Sequence, residues 1–346
     1  MFKPTRLFAA AALALGSLVS ALPAAAQEVT LKLHHFLPAG SFAQTMFLQP
    51  WCDRIAKESA NKMKCQIYPS MQLGGTPPQL IDQVKDGIVD IVWTLPGYSA
   101  GRYPILEVFE LPFMMQNPEG TSKALWEFVQ QHDAAEFKDI KALAFHVHGD
   151  GVFHVNKRPI QTLADMKGLK LRAPTRQTNK LLATLGATPV AMPVPQVSEA
   201  LSKGVIDGAL VPYEVVPAVK LHELAKYHSE TDPAEPALYT STFVLAMNPA
   251  KYNSLSPELK KVIDNTTGVT LSAAAGKAFM AADVEGKKLV GKNPVNVIPK
   301  SELDNWKKAG QHITDAWVAD VTAKGANGKQ LLEQAQALIA KHSAAK

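Results

Sequence analysis

Cysteine is scarce. The 346-residue chain has two, Cys52 and Cys65, and no histidine pair stands near them, so no metal site is expected. After residue 27 no apolar run is long enough to cross a bilayer. The GxSxG elbow and the HExxH helix are both missing. Neither cysteine has a plausible catalytic partner, and no two acidic residues form an obvious dyad. No catalytic residue and no cofactor are therefore expected. Excess charge is small as well: the formal net charge is +5, and setting aside Lys3 and Arg6 leaves about +3. No cluster of basic residues interleaved with aromatics is present, which speaks against nucleic acid. The slight positive balance favours anionic ligands a little.

What is present starts with an address. Lys3 and Arg6 precede an alanine-rich apolar stretch, Leu7 to Leu22, and then Ala24-Ala25-Ala26. This is the pattern of a secretory signal peptide. Residues 1–26 are read as that signal, the mature chain as an exported periplasmic protein, and no lipobox cysteine suggests an anchor. About 320 residues then remain, enough for two domains with substantial cores. In an oxidising compartment an even pair of cysteines favours a Cys52–Cys65 disulfide, with two buried thiols as the alternative.

The most informative stretch runs from Leu163 to Val216. Leu169 to Ala173 alternates as a strand and is stopped by Pro174. Leu181, Leu182 and Leu185 lie at helical spacing before Gly186. A short apolar strand over 187–194, a helix over 197–205 and a strand from Ile206 to Val211 follow. Strands alternating with helices of about ten residues predict an α/β protein with a parallel sheet. Arg172 is the odd residue. It sits at the carboxyl end of a strand, where ligands gather in open α/β sheets, and its fork of donors matches a carboxylate. On position alone, an ordinary surface arginine at a strand end is the alternative.

Several elements of this stretch carry a resemblance. They are Gly168-Leu169-Lys170-Leu171-Arg172 before Pro174, Leu185-Gly186-Ala187, Pro193, Glu199-Ala200-Leu201 and Gly204-Val205-Ile206-Asp207-Gly208. In order and spacing they resemble the solute-binding receptors of tripartite ATP-independent periplasmic (TRAP) transporters. Gln72-Leu73-Gly74-Gly75 with the later DGIVDIVW run, and Phe109 to Phe113, are similar to the same family, so the likeness covers nearly the whole mature chain. It implies a two-lobed periplasmic-binding-protein fold. Each lobe would be a mixed sheet flanked by helices, with crossover segments forming a hinge. The expected lobes are 27–150 with 238–278, and 151–237 with 279–325, the latter including a C-terminal bracing helix. Residues 326–346 are expected to be a fraying tail. It also implies that Arg172 pairs with the carboxylate of an organic acid, and that the receptor, a monomer, hands its ligand to membrane permease subunits.

Further ligand contacts are expected around this anchor. His34 and His35 are adjacent on a strand, point to opposite faces and cannot chelate together, but His35 or Phe36 could reach the cleft. Trp93, Thr94 and Tyr98 end the third strand and are expected to line it; a core place for Trp93 and a surface place for Tyr98 are the alternatives. Pro174, Phe153, Tyr213 and Glu214 are expected nearby. His148 is expected to donate one hydrogen bond to the carboxylate, or else to be structural. Arg102 is either a second anion contact or a brace to Glu107 or Glu110, and Glu110 is expected in an ion pair. Gly149-Asp150-Gly151 suits a hinge. Where the sialic-acid-binding branch has an arginine, an asparagine and an aromatic, this chain has Gly151, Val211 and Val194. These departures imply a monocarboxylate with a smaller or more apolar body, aromatic or a hydroxy or keto acid. A receptor for an ABC importer or a sensor shares this architecture and is the alternative; a secreted enzyme is a further one.

Overall fold

The computed structural model describes residues 28–291 and 293–344; the expected signal segment lies outside the described residues. Among the described residues there are eleven strands: β1 Val29–His35, β2 Met63–Tyr68, β3 Ile91–Thr94, β4 Lys141–Val147, β5 Val152–Val155, β6 Lys170–Ala173, β7 Thr188–Ala191, β8 Gly208–Val211, β9 Tyr227–Glu230, β10 Thr242–Met247 and β11 Val295–Val297. They form two separate sheets.

The first has the order β2-β1-β3-β10-β4, with β1 parallel to β2 and β3, and β10 antiparallel to β3 and β4. The second has the order β11-β9-β5-β8-β6-β7; there β5 runs antiparallel to its neighbours and β6 parallel to its own. Both sheets are thus mixed, and each is covered by helices. The central strands β3, β8 and β10 are buried along their whole length. That is why they read as near-continuous apolar runs and not as alternation.

The chain passes between the sheets at residues 148–151, again at 231–241, and a third time between β10 and β11. Gly149 and Gly151 both lie in the first crossing, yet neither has a positive φ. What requires glycine is close approach: a Cβ at 149 would overlap the Asp283 carboxyl, and one at 151 would overlap the Tyr239 ring. The expected hinge glycines are in the right place for a different reason from backbone freedom.

The C-terminal residues correct an expectation. Gly328–Ser343 is a helix and not a fraying tail. Asn327 caps it, accepting from the Gln330 N–H at 3.1 Å. Leu331, Ala335 and Ile339 recur every four residues and are buried, giving the helix one apolar stripe. It lies against the helix Pro118–Phe128, where Glu127 pairs with Lys341 at 3.0 Å and His342 at 2.7 Å. A high alanine and lysine content hid this stripe.

Cys52, in the helix Gln49–Glu58, is bonded to Cys65 in β2 across 13 residues of chain. Closing a loop of that size stabilises by about 3 kcal/mol in the chain-entropy account. Paired Cys52→Ser and Cys65→Ser substitutions are therefore expected to lower the unfolding free energy by about 2–4 kcal/mol. Urea denaturation checks this; a midpoint unchanged at constant slope would contradict it.

Candidate functional site

A narrow cavity of about 30 Å³ lies between the two sheets. Elements from both sides build it. Phe36 follows β1, Trp93 ends β3 and Tyr98 lies in the turn beyond. Arg172 and Pro174 come from the end of β6, and Val211 and Glu214 from the end of β8. His148, Tyr239 and Ser241 come from the first two crossings. The strand-end position that singled out Arg172 is thus the general position of the whole site.

Arg172 is only 2% exposed. Its Nε donates to the Met192 carbonyl at 3.0 Å and its Nη1 to the Leu210 carbonyl at 3.3 Å. Both partners are neutral. Among the described residues no carboxylate lies within ion-pair distance of it. A guanidinium has five N–H donors, so two carbonyls fix its orientation while others face the cavity.

The wall around it is aromatic. Trp93 is nearly parallel to Phe36, with centroids 5.0 Å apart and planes at 14°, and to Phe243, at 4.9 Å and 9°. Its indole N–H donates to His146 Nε2 at 2.8 Å. That bond leaves the His146 proton on Nδ1, and burial lowers its pKa to about 3. Trp93 therefore offers a ligand its ring and not its N–H. The Tyr98 hydroxyl accepts from the Val194 N–H at 3.1 Å. Burial raises its pKa, so the phenol keeps its proton.

His148 lines the cavity, but not as the donor expected. Its Nδ1 lies 2.6 Å from the Gly149 carbonyl and its Nε2 accepts from the Ser241 N–H at 3.0 Å. Burial lowers its pKa to about 3, so the ring is neutral and both nitrogens serve the backbone of the crossings. It supplies an edge of the wall, with Tyr239 at 5.1 Å.

Four other expected residues do not face the cavity. His35 is sealed behind Trp93, with Nε2 at 2.9 Å from Gln44 Oε1 and Nδ1 accepting from the Leu37 N–H. Thr94 donates to the Pro77 carbonyl at 3.4 Å and is buried. Phe153 lies on the far face of its sheet, its ring edge-on to Trp306 at 5.9 Å. Tyr213 turns outward and donates to Glu230 at 2.9 Å, because neighbours in a tight turn diverge and Glu214 takes the inward place. Arg102 pairs with Asp82 at 2.8 Å, not with Glu107, Glu110 or a ligand. Arg176 instead holds Glu107, with Nε 3.1 Å from each carboxylate oxygen, and so links the first-sheet side to the second. Glu110 makes no ion pair among the described residues; it accepts from the Thr242 N–H at 3.0 Å and hydroxyl at 2.8 Å.

Tyr239, Ser241 and Phe243 complete the site and were not singled out in the sequence. Tyr239 donates to Leu210 O at 3.1 Å, the same carbonyl that Arg172 uses. Its position just before an apolar strand is the only signal it carries in sequence.

Buried titratable groups give the protein a pH profile. Burial lowers the pKa of His35 and His228 to about 4, and of His146 and His148 to about 3. These groups cost stability as pH falls below their unfolded value near 6.5. Burial raises Glu110 to about 7 and Asp283 to about 8. Their folded forms hold protons more tightly than the unfolded chain, so their contribution is lost as pH rises through those values. Above about pH 7.5 the histidines are neutral in both states and the buried acids dominate. Thermal stability is expected to fall from about pH 7.5 to about pH 9; a rising melting temperature over that range would contradict the assignment.

Comparison with known proteins gives a consistent picture. Residues 33–320 match the model of bacterial extracellular solute-binding protein, family 7. A TRAP solute-binding protein from Rhodoferax ferrireducens T118, solved with copurified benzoate, is 53% identical. The match covers 91% of this chain and 98% of that one, with a TM-score of 0.90. A marine-metagenome TRAP protein from an unidentified microbe, described as specific for aromatic acid ligands and solved with 3-hydroxybenzoate, is 46% identical. There the coverage is 91% and 99%, with a TM-score of 0.89. A TRAP protein from Bordetella bronchiseptica with bound (R)- and (S)-mandelate is 26% identical, with 90% and 99% covered and a TM-score of 0.84.

Proposed function

This chain belongs to family 7 of the bacterial extracellular solute-binding proteins, the receptors of TRAP transporters, and from that membership we propose that its ligand is an aromatic monocarboxylate. One observation carries the reading. A buried guanidinium, fixed by two carbonyls and without a carboxylate partner among the described residues, opens onto a cavity walled by Phe36, Trp93, Tyr98 and Phe243. A carboxylate entering there meets a pre-aimed cation in a setting of low effective dielectric, where pairing is stronger than in water. The flat body of the ligand then lies among rings that favour stacked or edge-on contact.

Val194 and Val211 support the same choice, since both face the cavity and neither can bond a hydroxylated chain. So does Tyr239, whose ring fills the space that a side chain at Gly151 would need. Relatives at 53% and 46% identity were solved with benzoate and 3-hydroxybenzoate. On this reading residues 1–26 direct export, the mature receptor acts in the periplasm, and the loaded form delivers its ligand to the membrane subunits of the transporter.

The test is a thermal-shift and calorimetry panel of benzoate, mandelate and 3-hydroxybenzoate against succinate, galactonate and sialic acid. A ligand at 100 times its dissociation constant stabilises by about 2.7 kcal/mol. The aromatic acids are expected to raise the melting temperature by several degrees and the others to leave it in place. Tighter binding of succinate or a sugar acid than of every aromatic acid would overturn the proposal.

A further inference from the structure

Glu214 is a carboxyl group on the wall of a site meant for an anion. It is 3% exposed and lines the same cavity as Arg172. The two are farther apart than ion-pair distance, and no cation pairs with Glu214 among the described residues. Its Oε2 is buried without a hydrogen-bond partner. A buried polar atom left in that state is costly unless something completes it. Its backbone is held firmly: the Glu214 N–H donates to Asp283 Oδ1 at 2.8 Å, and Gly286 of the helix Val269–Leu289 packs directly on the Tyr213–Glu214 peptide. The side chain is therefore positioned by a rigid element.

We propose that Glu214 is a specificity-determining residue that hydrogen-bonds a hydroxyl substituent on the ring of the aromatic acid, while Arg172 takes the carboxylate. The inference rests on the aromatic-acid reading above and narrows it to hydroxylated ring acids. A phenolic hydroxyl both donates and accepts, as does a carboxyl group that keeps its proton, so the two satisfy each other.

The surroundings of Glu214 keep that proton in place. From the helix Val269–Leu289 the acidic Asp283 faces its backbone, with Asp150 of the first crossing next to Asp283. Across the cavity stand Arg172, the phenols of Tyr98 and Tyr239 and the neutral His148; Tyr213 on its own turn points away to Glu230. Burial, then the nearby Asp283 carboxyl, raise the pKa of Glu214 well above the ordinary carboxyl range. Were it ionised, it would face the incoming carboxylate with a like charge.

Calorimetry on the mature receptor with benzoate, 3-hydroxybenzoate and 4-hydroxybenzoate decides this, using the wild type, Glu214→Gln and Glu214→Leu. The wild type is expected to bind one hydroxybenzoate about tenfold more tightly than benzoate, the worth of one good hydrogen bond. In Glu214→Leu that ratio should collapse to about one, whatever happens to benzoate itself. Glu214→Gln should keep part of the ratio. Because glutamine keeps the length and shape of the side chain and can still hydrogen-bond a hydroxyl, that variant keeps the test alive if the leucine variant misfolds. Equal wild-type affinity for benzoate and both hydroxybenzoates, or an unchanged ratio in Glu214→Leu, overturns the proposal while the aromatic-acid reading stands. Failure of all three acids to bind the wild type removes that reading, and this inference with it.

Discussion

Replacing Arg172 with alanine is expected to weaken binding of an aromatic acid by about 30- to 5000-fold, the equivalent of about 2–5 kcal/mol for losing one partner of a buried charge pair. Two losses combine in that figure. The ligand carboxylate would be buried without its cation, which is expensive in a dry cavity. The carbonyls of Met192 and Leu210 would also lose a donor, although Tyr239 still serves Leu210. Arg172→Lys should recover only a small part, because an ammonium on a flexible stem cannot keep both carbonyl contacts and present a fork to the ligand. Calorimetry on both variants, with the melting temperature as a check on folding, reads this out. Binding by Arg172→Ala within threefold of the wild type would show that the anchor lies elsewhere in the cavity.

Gly151→Ala is expected to be the other large effect. A Cβ at that position overlaps two carbons of the Tyr239 ring. The ring cannot swing aside cheaply, since it is buried and its hydroxyl is bonded to Leu210. Overpacking of this kind typically costs about 1–3 kcal/mol. Because Tyr239 is also a wall of the ligand cavity, binding should weaken along with stability. The double variant Gly151→Ala with Tyr239→Ala separates this from a general hinge effect. If the clash is the cause, the two substitutions together should be less harmful than the sum of their separate costs. Additive losses would place the requirement for glycine in backbone motion instead.

Much of the fold was legible because the physics is local. Strand-end prolines, helix-ending glycines and buried apolar runs sit in β1 to β6 and in the long helix Lys300–Ala323 close to where sequence patterning places them. Two elements escaped it. β9 reads Tyr-His-Ser-Glu and shows no apolar pattern; it is a strand because β5 and β11 flank it. The C-terminal helix has its apolar stripe in a sequence dominated by alanine and lysine, and its reason to form is the partner helix Pro118–Phe128.

The site divides in the same way. Arg172, Pro174, Trp93 and Tyr98 could be found because strand ends carry ligands in such sheets, and Arg172 is chemically out of place there. Phe153 and Tyr213 were misjudged because a side chain's direction depends on which face of a sheet or turn it leaves, and one residue of offset reverses it. His148 lines the cavity with both nitrogens already taken by backbone groups, which nothing in sequence shows.

Sequence by itself determined the family, the two-sheet α/β plan and the lone arginine at a strand end, because these depend on residue type and short-range spacing. The tertiary structure alone decided which aromatic rings surround that cation, why residue 151 has no side chain, and that an unpaired acid shares the pocket. Each of those depends on the distance between segments that lie far apart along the chain, and spacing along a chain does not encode distance across a cleft.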